Sequence, residues 1–221
     1  MKREIITTSD GSVTIHLSEW DESYHSKHGA IQEAKHVFIQ NGLSLFKRQS
    51  VSVLEIGFGT GLNAFITFLE GITNELTINY VGYEAYPISI AEIKQLNYVT
   101  QLQAEKFQNE FDVIHQSDWD KPVTISSQFI LTKKNKLFNE VTEKACFDII
   151  YFDAFGYRVQ PELWTVAIFK LMFEALKPNG VLVTYACRGV IKRAMVEVGF
   201  SVEKLPGPPG KREMLRAFKK I

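Results

Sequence analysis

The sequence predicts an α/β fold built on a doubly wound, mostly parallel sheet. Runs typical of strands alternate with runs typical of helices over most of the chain. The apolar run of residues 51–56, which is rich in branched side chains, leads directly into a glycine-rich turn and a helix-like pattern. Acidic residues follow several of the predicted strands, at the edge where open α/β sheets bind their ligands.

The first 50 residues predict an extension packed on the core. Residues 5–16 alternate loosely around Asp10-Gly11, which indicates a hairpin turn. Apolar positions between residues 30 and 46 fit one helix face, with a break at Asn41-Gly42. We therefore expect one compact domain, in which an N-terminal extension, residues 1–50, covers a core of residues 51–221.

The polar stretch between the hairpin and this helix, residues 18–30, predicts a surface loop. It contains His25 and His28, but no acidic or cysteine residue lies at the spacing of a metal site. Cys146 and Cys187 are far apart and show no metal-like spacing either. We expect no bound metal, and reduced thiols in a cytoplasmic protein.

The remaining chain predicts a strand–helix alternation with one interruption. The predicted strands are 51–56, 76–83, 111–115, 147–152, 181–185, 200–205 and 213–218. The predicted helices begin near residue 62 and then cover 88–96, 102–107, 161–176 and 190–198. The interruption is residues 121–135, which predict a small β-hairpin inserted into the alternation.

The glycine-rich turn is the strongest functional signal. A dinucleotide fingerprint would need its third glycine at position 62, which is Leu62. The pattern is instead E-x-G-x-G-x-G, which resembles the first motif of the Rossmann-like class I S-adenosylmethionine (SAM) methyltransferases. The alternative is a glycine turn that binds no cofactor. The candidate cofactor-binding residues are Glu55, Gly57, Phe58, Gly59, Thr60, Gly61 and Asn63.

Two further acidic residues are candidates for the cofactor pocket. Glu84 ends the second predicted strand, 23 residues after Gly61, where a carboxylate accepts hydrogen bonds from ribose hydroxyls in nucleoside-binding folds. Asp118 and Trp119 follow the third predicted strand and would bind adenine through its amino group and ring. A merely solvated carboxylate remains the alternative for Glu84. For Asp118 and Trp119, the sequence favours adenine binding no more than it favours the absence of such a role.

Charge is unevenly distributed along a chain whose net charge is zero. Residues 186–221 carry nine Lys or Arg and three Glu, a net +6, so residues 1–185 carry −6. Such a basic end fits either a phosphate-contacting face or a solvated surface. No apolar run is long enough to span a bilayer and no signal peptide is recognisable, so we expect no membrane partner.

Several segments together resemble the methyltransferase domain of the MnmC-type tRNA-modifying family, including its stand-alone form, MnmD. The SAM loop matches closely at residues 55–63, and the segment from Phe152 to Trp164 matches a D-x-F…P-x-x-W pattern. The C-terminal segment Gly210-Lys-Arg-Glu-Met-Leu215 matches a K-R-E-M signature. Gly156-Tyr157 departs from the Ala-Pro that the family pattern has after D-x-F.

The resemblance implies a SAM-dependent N-methyltransferase. It would convert 5-aminomethyl-2-thiouridine at wobble position 34 of tRNA to 5-methylaminomethyl-2-thiouridine. The chain ends after the methyltransferase part, so we expect the aminomethyl group to come from a separate FAD-dependent oxidoreductase.

Within this function, Asp153 is the candidate catalytic residue, which orients the amine; the alternative is that it only contacts SAM. Phe155 and Tyr157 are candidates to pack on the uracil ring, although core packing of Phe155 is equally open. The candidate tRNA-contacting residues at the basic end are Arg188, Lys192, Lys211 and Arg212.

Two other functions use the same features. An aminopropyltransferase of the spermidine synthase type shares a glycine turn and an aspartate after the fourth strand, and it also acts on a primary amine. A SAM-binding partner of a separate oxidase, without catalysis, is the third. Turnover with putrescine would identify the aminopropyltransferase. Substitution of Asp153 would identify the SAM-binding partner, because its activity in the cell does not need that residue.

Overall fold

The computed structural model describes residues 2–47 and 49–220. The N-terminal residues form a three-stranded antiparallel sheet, in the order β1-β2-β3. Its strands are β1 (Arg3–Thr7), β2 (Val13–Leu17) and β3 (Glu22–Ser23). The predicted hairpin around Asp10-Gly11 is therefore confirmed. The predicted helix begins as α1 (Ala30–Ala34), widens into a π-helical turn at Lys35–Gln40 and ends in a 3-10 turn at Leu43–Leu45.

An eight-stranded sheet forms the centre of the molecule. Its strands are β4 (Ser50–Ile56), β5 (Thr77–Tyr83), β6 (Pro122–Ser126), β7 (Phe129–Lys134), β8 (Phe147–Phe152), β9 (Leu176–Thr184), β10 (Ser201–Pro206) and β11 (Glu213–Phe218). They lie in the order β10-β11-β9-β8-β4-β5-β7-β6. The five central strands, from β9 to β7, pair in parallel. The outer strands pair antiparallel, β6 with β7 at one edge, and β11 with β9 and β10 with β11 at the other.

Helices cover both faces of this sheet, which confirms the doubly wound prediction. They are α2 (Leu62–Thr73), α3 (Ile90–Ile93), α4 (Tyr98–Gln101), α5 (Gln108–Gln116), α6 (Val166–Ala175) and α7 (Gly189–Val198). Single 3-10 turns lie at Glu105–Phe107, Phe138–Glu140 and Pro161–Trp164. The helix predicted at 88–96 is therefore shortened to α3, and the helix predicted at 102–107 is only a 3-10 turn between α4 and α5.

The alternation of side chains along the strands separates two cores. Val53 on β4 and Tyr151 on β8 belong to the core under α2 and α5, whereas Leu54 and Ile150 belong to the core under α6 and α7. Val13 and the residues of α1 pack in the first core, so the N-terminal residues share it. The division of the chain at residue 50 remains a prediction.

The third strand was predicted at the wrong place. Residues 111–115 belong to helix α5, in which Phe111 and Ile114 are buried at the three-residue spacing of a helix face. The parallel neighbour of β5 is instead β7, the second strand of the predicted hairpin. The hairpin therefore exists, but it completes the main sheet.

The loop predicted at residues 18–30 is only partly a surface loop. It contains β3, and His25 is buried with its backbone N–H donating to Oγ1 of Thr14 at 3.0 Å. Burial lowers the pKa of His25 to about 4. His25 is therefore a neutral, hydrogen-bonded core residue.

Candidate functional site

The glycine turn joins β4 to α2 at the centre of the sheet. Gly57, Gly59 and Gly61 all have positive φ angles, of 94°, 50° and 70°. Residues other than glycine rarely adopt this backbone conformation. A β-carbon on Gly57 would lie 2.6 Å from the carbonyl oxygen of Asp153, the residue after β8. The turn therefore needs glycine both for its backbone angles and for this close approach.

A buried hydrogen-bond network connects the turn with β4 and β8. The side-chain amide of Asn63, at the start of α2, donates to Oε1 of Glu55 at 2.8 Å and to Oδ2 of Asp153 at 2.9 Å. The hydroxyl of Tyr80 donates to Oε2 of Glu55 at 2.8 Å. Alternation along the strands places Glu55 and Asp153 on the same face as α2, which is why one amide reaches both carboxyl groups.

This environment favours the protonated form of both carboxyl groups. Burial raises the pKa of Glu55 well above its usual value. Burial, and then the negative charge of Glu33, raise the pKa of Asp153 to about 7, although the hydrogen bond from Asn63 acts in the opposite direction. Asp153 can therefore change its charge near neutral pH, a property common at catalytic sites.

Glu84 fixes the other side of the glycine turn. Its carboxylate accepts the backbone N–H of Gly59 at 2.9 Å and that of Tyr86 at 2.8 Å. Only 9% of Glu84 is exposed. The alternative of a solvated strand-end carboxylate does not fit this geometry. A carboxylate has further lone pairs, so Glu84 can still accept hydrogen bonds from a ligand.

One cavity of about 1140 Å³ runs along the carboxyl ends of the parallel strands. Leu137 lines it beyond β7, Glu84 beyond β5, the glycine turn beyond β4, and Asp153 beyond β8. Tyr185 lines it beyond β9. Open α/β sheets bind ligands at this edge.

The cavity brings together eight of the seventeen predicted site residues. Those in its wall are Gly57, Phe58, Gly59, Thr60, Asn63, Glu84, Asp153 and Phe155. Glu55 lies beneath the wall, hydrogen-bonded to Asn63. Gly61 and the predicted substrate residue Tyr157 are not in the wall. The guanidinium carbon of Arg188 lies 5.6 Å from the ring centroid of Tyr157.

The strand that was predicted to lead into Asp118 and Trp119 is helix α5 instead, so the structural argument for this adenine site was wrong. The side chain of Asp118 is 72% exposed and forms an ion pair with Lys121. The ring of Trp119 packs edge-on against Phe58, with centroids 6.3 Å apart, but does not line the cavity. The strand that pairs in parallel with β5 on its outer side is β7. The residues that follow β7, Leu137 among them, therefore occupy the adenine position that was assigned to Asp118 and Trp119.

Several residues of the cavity wall were not predicted from the sequence, Trp20, Tyr24 and Tyr86 among them. Trp20 and Tyr24, from the N-terminal sheet, line the cavity opposite the strand ends. No local pattern marks them, because their approach to the site depends on how the N-terminal sheet packs. Tyr86 is also in the wall and could have been found, since it follows Glu84 by two residues.

The basic residues of the C-terminal segment do not all face solvent. Arg188 and Arg212 are exposed and Lys192 is partly exposed. Lys211, in contrast, forms an ion pair with Glu33, whose side chain is 8% exposed. The Lys211 ammonium also lies 3.7 Å from the ring centroid of Tyr185. The ammonium of Lys211, whose side chain is 31% exposed, is thus paired with Glu33 near Asp153 and is not a free surface charge. Its predicted contact with tRNA remains a prediction.

These residues fit SAM as a cofactor. The glycine turn allows a ligand to approach the backbone, and Glu84 offers acceptors at the end of β5. Oδ1 of Asn63 is buried and has no hydrogen-bond partner among the described residues, so an acceptor in the cavity wall awaits a donor. No group of three metal-ligating side chains occurs in residues 2–47 and 49–220. Over the same residues, no helix has the length and apolar character needed to cross a membrane.

Fold and site together define a nucleoside-cofactor enzyme of the Rossmann-like class. Residues 94–220 match the model of a family described as S-adenosyl-L-methionine-dependent methyltransferase. The match covers more than half of the chain, and the chain belongs to this family. The predictions of a methyltransferase and of SAM as its cofactor are confirmed.

Two relatives share the name "tRNA 5-methylaminomethyl-2-thiouridine biosynthesis bifunctional protein MnmC". The protein from Idiomarina loihiensis is 30% identical over 213 residues, which cover 89% of this chain and 35% of that protein. The protein from Stutzerimonas stutzeri is 26% identical over 226 residues, covering 90% and 34%. The chain therefore spans about a third of the length of these relatives. The resemblance to an MnmC-type methyltransferase domain is confirmed.

Solved structures show the same fold. MNMC2 from Aquifex aeolicus has a TM-score of 0.80 and 22% identity, covering 99% of this chain and 70% of that one. Spermidine synthase from Thermotoga maritima has a TM-score of 0.58 and 15% identity, covering 98% and 68%. At these identities the likeness establishes the architecture only.

Proposed function

We propose that this protein methylates the primary amine of 5-aminomethyl-2-thiouridine at position 34 of tRNA, giving 5-methylaminomethyl-2-thiouridine. The observation that carries the proposal is the position of Asp153. It lines the cavity beside the glycine turn, and its pKa is raised to about 7. The name that the two relatives share supports this substrate.

The residues of the glycine turn, Glu84 and Leu137 would hold SAM. SAM supplies a methyl group on a sulfonium sulfur, which is transferred to a nucleophile as S-adenosylhomocysteine leaves. Asn63 keeps Asp153 in place through its amide, and its unpaired Oδ1 offers a second acceptor in the same wall.

Asp153 would bind the substrate amine and orient its lone pair. A free alkylamine has a pKa of roughly 10, so it arrives mostly protonated at neutral pH. The ionised carboxylate accepts hydrogen bonds from the ammonium, and the surrounding desolvation favours release of a proton to water. The same carboxylate then stabilises the positive charge that develops on the nitrogen as its bond to carbon forms. Positioning of the amine supplies much of the rate.

The aminomethyl group of this substrate must come from another reaction. A separate FAD-dependent oxidoreductase that removes a carboxymethyl group from the wobble base would provide it. In this proposal both steps take place on tRNA in the cytoplasm.

Labelled SAM and two tRNAs test the function. One tRNA carries 5-aminomethyl-2-thiouridine at position 34 and the other carries unmodified uridine there. We expect label only in nucleoside 34 of the first tRNA. We expect Asp153→Asn to bind SAM but to lower transfer by at least about a hundredfold. Absence of label from a protein that binds SAM would refute the proposal.

An aminopropyltransferase remains the competing function, because the fold and an aspartate after β8 suit both reactions. A reaction with putrescine and decarboxylated SAM separates them. Turnover of putrescine together with no label in tRNA would replace the proposed function. Normal activity in cells that carry Asp153→Asn would instead favour a non-catalytic SAM-binding partner.

A further inference from the structure

Three aromatic rings from distant parts of the chain meet in the cavity wall. The ring of Phe155 lies edge-on to Trp20, with centroids 5.6 Å apart and an interplanar angle of 82°. It lies edge-on to Tyr24 as well, at 5.1 Å and 85°. All three residues line the cavity. We call Trp20, Tyr24 and Phe155 the aromatic wall.

Backbone contacts hold the aromatic wall in position. The guanidinium of Arg158 donates to the carbonyl oxygen of Trp20 at 2.8 Å and to that of Asp21 at 2.9 Å. The indole N–H of Trp164 donates to the carbonyl oxygen of Phe155 at 2.8 Å. The backbone on both sides of the aromatic wall is therefore held by hydrogen bonds without a ligand, which reduces the entropy lost on binding.

The aromatic wall lies next to both the glycine turn and the segment that carries Asp153. Phe155 follows Asp153 by two residues, on the same segment beyond β8. Tyr24 packs on the glycine turn, since a β-carbon on Gly59 would lie 3.0 Å from its Cδ1 atom. A flat molecule on the aromatic wall would thus lie next to both the glycine turn and the segment that carries Asp153.

The exposure of the aromatic wall distinguishes it from core packing. Trp20, Tyr24 and Phe155 are each partly exposed, whereas Trp164, nearby, is 1% exposed. The cavity volume of about 1140 Å³ lies above the range of roughly 300–1,000 Å³ that is usual for one small ligand. The cavity has room for a second ligand beside the cofactor, and that ligand would meet the partly exposed rings.

We propose that the aromatic wall receives the pyrimidine ring of a nucleotide extruded from the tRNA, so that the substituent at its C5 position reaches Asp153. Enzymes that modify a base take it out of its stack and pack it against aromatic side chains. The inference rests on the proposed function and extends it, because it assigns substrate recognition to the N-terminal sheet through Trp20 and Tyr24. It also selects Phe155, and not Tyr157, among the two residues predicted to pack on the base.

The test compares Trp20→Ala with Trp20→Phe and the wild type. Stacking of one base is worth about 1–3 kcal/mol, so we expect Trp20→Ala to lower kcat/KM for tRNA bearing 5-aminomethyl-2-thiouridine by about tenfold or more. Trp20→Phe keeps a flat ring and should recover most of this loss. The dissociation constant for SAM, measured by calorimetry, should be the same in all three proteins.

Each other outcome has a definite meaning. If the wild type methylates this tRNA and Trp20→Ala does so equally well, the aromatic wall does not bind the base. If Trp20→Ala loses SAM affinity in proportion to its activity, the ring supports the cofactor site or the fold, and the inference is again overturned. If the wild type binds SAM but transfers no methyl group to this tRNA, the proposed function itself fails.

Discussion

The amide nitrogen of Asn63 lies 2.9 Å from Oδ2 of Asp153, and it also donates to Glu55. One side chain thus joins the buried carboxyl group of Glu55, on β4, to that of Asp153, which follows the neighbouring strand β8 and lines the cavity. The hydrogen bond favours the ionised form of Asp153, while burial and Glu33 oppose it. Activity that needs the carboxylate should therefore rise with pH through about 7.

Asn63→Ala should move this pH dependence. Without the amide, the pKa of Asp153 rises further, so the acid limb of kcat/KM against pH should shift upward by about one unit. Thr67→Val is the matched control, because Thr67 lies on the same helix and contacts Tyr151 instead of Asp153. An unchanged profile in a folded, SAM-binding Asn63→Ala protein would show that Asn63 does not set the charge of Asp153.

Asp153→Asn should alter the pH dependence of stability. The folded protein holds the Asp153 proton up to about pH 7, whereas the unfolded chain loses it near the usual pKa of 3.8. The folded state therefore binds more protons over this range, and its stability falls as the pH rises through it. The loss is complete above about pH 7 and is on the order of 2 kcal/mol, allowing for water in the cavity.

Urea titrations at about pH 5 and pH 8 measure this effect. We expect the free energy of unfolding to fall less between the two values in Asp153→Asn than in the wild type. Asp112→Asn, an isosteric change on α5, should behave as the wild type does. An equal fall in all three proteins would mean that Asp153 is not desolvated.

Leu137→Ala should weaken SAM binding by about tenfold, because the residue after β7 lines the cofactor cavity. Leu45→Ala is its control, since Leu45 is exposed to the same degree, 47% against 48%, but lies outside the cavity. Asp118→Asn should leave the affinity unchanged. The reverse pattern, in which Asp118 matters and Leu137 does not, would restore the original assignment of the adenine site.

The glycine turn, Glu84 and Asp153 could be placed from the sequence because strand ends and glycine spacing are local signals. The third strand could not, because Phe111 and Ile114 fit a short apolar run as readily as a helix face. Long-range contacts also left no local trace. Lys211 pairs with Glu33, 178 positions earlier, and Trp20 meets Phe155 only through the packing of the N-terminal sheet.

The basic end of the chain should contribute to tRNA binding through its exposed residues. Charge reversal at Arg188 or Arg212 should each reduce the log–log salt slope of tRNA binding by about one unit. Lys94→Glu, on the exposed end of α3, is the control and should not change it. Equal slopes for all of these proteins would mean that the tRNA docks elsewhere.

Lys211→Gln should behave differently from these reversals. It removes the partner of the buried Glu33, so it should lower stability by about 3 kcal/mol and leave the salt slope unchanged. Chemical unfolding and salt-dependent binding measure the two quantities separately. A reduced slope with unchanged stability would return Lys211 to the tRNA-contacting surface.

Mass spectrometry of the wobble nucleoside tests the central claim most directly. The purified protein is incubated with SAM and tRNA that carries 5-aminomethyl-2-thiouridine at position 34, beside an Asp153→Asn sample. We predict conversion of that nucleoside to 5-methylaminomethyl-2-thiouridine by the wild type and a strongly reduced conversion by the variant. An unchanged nucleoside after incubation with wild-type protein that binds SAM would contradict the account.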